Sequence, residues 1–82
     1  MSKFEGTWID GNGDTISISG NWDVYSMSYS NGRGPFQAFS HNVTLETSVI
    51  TGNFSDDGVF TGLLDAKGET IYWNNNTQWR RS

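Results

Sequence analysis

The chain has 82 residues, enough for one domain, read as spanning 1–82, and too few to bury more than about 60–65% of the surface that it exposes when unfolded. Nine acidic and five basic residues give a formal charge of −4, which argues against nucleic acid and anionic membrane as partners. The absence of cysteine excludes disulfides and thiolate chemistry, and no apolar run approaches the roughly 18 residues of a membrane span, so the cytoplasm is the expected compartment.

Apolar residues make up 34% of the chain and aromatic residues 15%, so a few large side chains must supply most of the core. Each contributes about 1.5–3 kcal/mol when fully buried. Helical periodicity is missing, whereas strand signals recur every eight to twelve residues, the spacing of an all-β sandwich or barrel. In chain order the expected strands are 4–9, 14–20, 23–30, 36–44, 48–54, 58–65, 69–74 and 77–81. The turns between them hold residues that tolerate positive φ: Gly11-Asn12-Gly13, Asn31-Gly32-Arg33-Gly34-Pro35, Asp57-Gly58, Lys67-Gly68 and Asn74-Asn75-Asn76. The Gly20-Asn21 corner leaves open a single bent strand in place of the second and third.

One segment occurs twice. Residues 4–18 and 60–73 each read Phe-x-Gly, a short strand, a Gly-centred turn carrying Asp or Glu, Thr-Ile and a second strand. The repeat predicts a hairpin near each end of a meander whose first and last hairpins meet. Alternation assigns an inner face to Phe4, Trp8, Ile16, Ile18, Tyr25, Met27, Tyr29, Phe39, Val43, Leu45, Ile50, Phe54, Phe60, Leu64, Ile71, Trp73 and Trp79. The opposite positions are mostly polar. Closing the sheet would bury that single apolar face and remove its edges, so the expected fold is an antiparallel up-and-down meander of about seven to eight strands forming a small barrel. A curved sheet that closes by dimerisation is the alternative.

Few residues carry recognisable chemistry. His41, the only histidine, shares parity with Phe39, Val43 and Leu45 and is expected to point inward, as a core imidazole or as a general base or ligand contact. Asp10-x-Asn12-x-Asp14 has the oxygen spacing that opens calcium loops, but Thr15 stands where such a loop needs Gly and no Glu follows at the twelfth place. A hairpin turn explains the same residues. With one His and no Cys, no metal site is expected, and no cofactor motif appears. Trp22, Phe36 and Tyr72 fall on the outer parity and form an expected contact patch.

Phe4-Glu5-Gly6-Thr7-Trp8 resembles the Gly-x-Trp opening of the calycins, the lipocalin, fatty-acid-binding and avidin group. In lipocalins that Trp closes one end of the barrel, and a basic residue from the last strand packs across it. The resemblance gives Gly6, Trp8, Trp79 and Arg80 structural roles, with Trp79-Arg80-Arg81 at the position of the basic residue. It implies a non-catalytic barrel that binds a hydrophobic or aromatic small molecule or a glycan, through Tyr25, Tyr29, Phe39, His41 and Trp73. Two further readings are a protein-interaction or self-associating module, such as a homo-oligomer, and a small-barrel isomerase, cyclase or lyase using His41.

Overall fold

Short apolar–polar alternations bounded by Gly, Asn and Asp leave no stretch long enough for a helix to compete, and each becomes a strand. The computed structural model describes residues 4–21, 23–42 and 48–82. Its strands are β1 (Gly6–Ile9), β2 (Thr15–Asn21), β3 (Val24–Tyr29), β4 (Phe36–Asn42), β5 (Ser48–Phe54), β6 (Gly58–Leu64), β7 (Thr70–Trp73) and β8 (Gln78–Arg81). They pair antiparallel in chain order, and β8 returns to β1 to close a barrel. The second and third strands are separate. Among the described residues no helix is long and apolar enough to cross a membrane.

The closing seam is short: Trp8 faces Arg81 and Ile9 faces Arg80. The Ser82 amide extends it by donating to the Thr7 carbonyl at 2.9 Å. The repeated hairpins do not meet, because β8 lies between β7 and β1. Their turns nevertheless match. Asp10 Oδ1 accepts from the Asp14 amide at 2.9 Å, and Asp65 Oδ1 accepts from the Glu69 amide at 2.8 Å. In each, the Gly three residues on donates to the Asp carbonyl, Gly13 to Asp10 and Gly68 to Asp65. Gly13 sits at φ 85°, and in the analogous β7–β8 turn Asn76 takes that left-handed place at 70°.

Register sorts the interior into three layers. Phe4, Trp8, Tyr25 and Leu64 fill the end where the chain enters, Ile16, Ile18, Met27, Ala38, Ile50 and Ile71 fill the middle, and Phe36, Phe54, Trp73 and Trp79 fill the far end. Gly52 and Gly62 also point inward in the middle, where a Cβ at Gly62 would come within 2.6 Å of Ile71 Cγ2 and 3.1 Å of the Trp73 ring. These small residues make room for large neighbours.

On β4 the structure reverses the expected faces. Phe36 is 5% exposed and Ala38 fully buried, whereas Phe39 is 51% exposed and His41 lies on the outer surface. Pairing fixes this: Phe36 stands opposite inward Met27, and Ala38 stands between inward Tyr25 and Gly52. Phe36 therefore leaves the expected contact patch and joins the core. Trp22, Val43 and Leu45 lie outside the described residues. On β8 the basic residue over Trp8 is Arg81 rather than Arg80, because Trp79 and Arg81 share the inward parity and Arg80 points out.

Candidate functional site at the barrel mouth

The two ends of the barrel differ in chemistry. At the entry end, the Phe4 carbonyl accepts the Trp8 Nε1 hydrogen at 2.8 Å, and the Phe4 ring meets Tyr25 edge-on at 6.1 Å. Arg81 places its guanidinium 4.2 Å from the Trp8 ring centroid and donates to the carbonyls of Gly68 and Glu5, each at 3.0 Å. One side chain thus ties the incoming chain, the β6–β7 turn and β8 together.

The other end carries the β1–β2, β3–β4, β5–β6 and β7–β8 turns around a cleft of about 220 Å³. Its floor is aromatic. Trp73 and Trp79 lie 4.8 Å apart between centroids, Phe54 packs edge-on to Trp73 at 5.4 Å, and half-buried Tyr29 and Phe60 form the walls. Trp73 is nearly enclosed, and among the described residues its buried Nε1–H has no hydrogen-bond acceptor. An orphaned donor of that kind costs about 1–3 kcal/mol.

The rim is polar, and its turns fix how each group faces the cleft. Asp10 Oδ1 is occupied by the amides of Asn12 and Asp14, which leaves its other oxygen as an acceptor. Asn75 Oδ1 accepts from the Thr77 amide and hydroxyl, which orients its NH₂ as a donor. Asn12, Asp57 and Thr77 complete that edge. Across from them, Arg33 holds Asp56 through two bonds, Nε to Oδ2 at 2.9 Å and Nη2 to Oδ1 at 2.8 Å, linking the β3–β4 and β5–β6 turns. The same guanidinium lies 4.5 Å from the centroid of Tyr29 and 5.4 Å from that of Phe36.

The electrostatics follow from these contacts. Hydrogen bonding by Arg33 holds the Asp56 carboxyl below the ordinary carboxylate range, and the same pairing raises Arg33 further above it. Burial pushes the Tyr29 phenol above its usual value, against the opposing effect of Arg33. The Asp10-x-Asn12-x-Asp14 segment is a turn, in which Asp10 Oδ1 accepts from two backbone amides and Asp14 Oδ2 from the Asn31 side chain. Among the described residues no three His, Asp or Glu side chains gather closely enough to hold a metal ion.

Of the ligand contacts expected from sequence, the structure brings Tyr29 and Trp73 together in the cleft. Tyr25 is buried at the opposite end against Phe4, and Phe39 and His41 lie outside the barrel. Phe54, Phe60, Trp79 and the rim residues Asp10, Asn75 and Thr77 are additions. Their signal was present: each lies at or beside the end of a strand that meets a turn on the same side of a meander. Tyr72, 47% exposed, stays on the outer face as expected. Comparison of the chain with protein-family models, curated proteins and solved structures found no match.

Proposed function

We propose that this chain is a carbohydrate-binding barrel that holds one sugar ring of a glycan in its aromatic mouth. The observation that carries the reading is a cleft with an aromatic floor of Phe54, Trp73 and Trp79 beneath a rim of Asp, Asn and Thr side chains held by their turns. Pyranose rings present an apolar C–H face suited to Trp and Tyr, and hydroxyls that pair with carboxylate acceptors and amide donors. The cleft is smaller than the roughly 300–1,000 Å³ of pockets that enclose drug-sized ligands, so a single ring at a chain end fits better than a lipid. Support for a binding role also comes from the calycin-like Gly6-x-Trp8 opening with a basic residue of the last strand across the Trp.

The test is a titration of tryptophan fluorescence with a panel of mono- and oligosaccharides. Binding in the millimolar range or tighter is expected, weakened at least tenfold in Asn75→Ala and Asp57→Ala, whose exposed side chains contribute little to the core. Equal affinity in both variants, or no response to any sugar, would contradict the reading.

A second reading, self-association through the outer face, rests on one observation. Val24 stands opposite Phe39, and Leu63 opposite Tyr72, as exposed apolar pairs on neighbouring strands. A second copy of the chain seated on β3 and β4 would cover Val24 and Phe39. Sedimentation equilibrium checks it, with Phe39→Ser expected to abolish any dimer and a strict monomer at high concentration removing the reading.

A further inference from the structure

Resting on the saccharide reading of the mouth, we infer that the site continues over the rim into a groove along the outside of the β1–β8 seam, and that Arg80 there selects glycans bearing an acidic sugar. The groove has a volume of about 680 Å³ and is lined by Ile9, Asn76, Gln78, Arg80 and Arg81, and it shares Asp10, Gly11 and Thr77 with the mouth cleft. A chain whose end ring lies on the aromatic floor therefore leaves the mouth across those three residues without crossing a wall. Beyond Arg80 the path runs on past Thr70 toward Glu69.

The cation is available because its neighbour is not. Arg33 is committed to Asp56, and Arg81 is held over Trp8 by the carbonyls of Glu5 and Gly68. Arg80 is exposed, faces outward between Ile9 of β1 and Thr70 of β7, and has no ion-pair partner among the described residues. Asp10 at the near end and Glu69 at the far end bracket it with negative charge. That order, carboxylate, guanidinium, carboxylate, matches a glycan with one isolated acidic group and repels a continuous polyanion. Ile9 and Gln78 offer an apolar patch and an amide beside the guanidinium, contacts that a sugar ring satisfies.

The experiment compares neutral cello-oligosaccharides of two to four units with the same chains carrying one uronic acid, on wild type and Arg80→Gln, at low and high salt. At low salt the acidic chains are expected to bind about fivefold tighter than the neutral ones, the advantage of one exposed charge pair. Arg80→Gln and high salt should each erase that advantage. Equal binding of neutral and acidic chains to wild type would overturn the role of Arg80 while leaving the mouth as a sugar site. Failure of every chain to bind at millimolar concentration would overturn both.

Discussion

Arg81 lies across the face of Trp8, its guanidinium 4.2 Å from the ring centroid, and donates from Nε to the Gly68 carbonyl and from Nη1 to the Glu5 carbonyl. Among the described residues the seam it guards has two facing pairs, so the side chain compensates for a weak join between first and last strands. Arg81→Ala should lower stability by about 1–3 kcal/mol, combining a cation–π contact with two backbone hydrogen bonds. Arg81→Lys keeps the charge and loses the planar fork, so it should recover less than half of that loss. Urea unfolding measures both.

Trp8 itself is completely buried, and its indole nitrogen is satisfied by Phe4. Truncation to Ala leaves a large cavity and removes the indole hydrogen bond to the Phe4 carbonyl. The expected cost is roughly 3–5 kcal/mol, comparable with the whole stability of many small domains. Circular dichroism should show a largely unfolded variant at room temperature. A cooperative transition shifted by less than 1 kcal/mol (about half of what one core methylene pair contributes) would show that Trp8 does not close the barrel.

Gly62 tests the packing of the cleft floor from beneath. An added methyl would meet Ile71 Cγ2 at 2.6 Å and the Trp73 ring at 3.1 Å, contacts that fixed strands cannot relieve. Gly62→Ala should cost about 1–3 kcal/mol by overpacking. It should also displace Trp73 and change the near-ultraviolet dichroism, whereas Gly11→Ala, where a Cβ meets nothing within 4 Å, should leave both unchanged.

Strand positions were legible in the sequence because most turns are announced by Gly, Asn or Asp, and the strands fall within about two residues of their expected bounds. The faces of β4 were not. Phe39 and His41 share parity with Val43 and Leu45, so apolar alternation alone points them inward, while the true inward set, Phe36, Ala38 and Ser40, contains one large apolar residue. Ala38 works there because Tyr25 and Gly52 flank it, and volume matching across three strands leaves no trace in a single strand. The mouth was half legible: Tyr29 and Trp73 stood out as inward aromatics, but Asp10, Asn75 and Thr77 read as turn residues. They are turn residues, and the same hydrogen bonds that make the turns aim their free atoms at the cleft.

Acid and alkali should act on different parts of the barrel. The Arg33 hydrogen bonds lower the Asp56 pKa, and the Glu69 amide, first among several, lowers that of Asp65. Their stabilising contributions are present above the ordinary value of 3.8 and are lost as pH falls through the lowered folded values. Tyr29 is raised from 10.0 by burial, so its contribution is present below that value and is lost as pH rises through the raised one. Melting temperature should therefore hold steady between about pH 5 and 9 and fall outside that range. Arg33→Gln should flatten part of the acid limb, and an unchanged limb would show that the Asp56 pair is not formed in solution.

The most direct test of the saccharide site is the indole resonance of Trp73 in a ¹⁵N–¹H correlation spectrum, recorded as an oligosaccharide that binds in the fluorescence titration is added. Trp73 lines the floor of the cleft, so a sugar ring seated there should shift its indole resonance, while the Trp8 indole, bonded to Phe4 at the opposite end, stays fixed. An unmoved Trp73 resonance at saturating sugar, or equal shifts at Trp8 and Trp73, would contradict a binding site at the mouth.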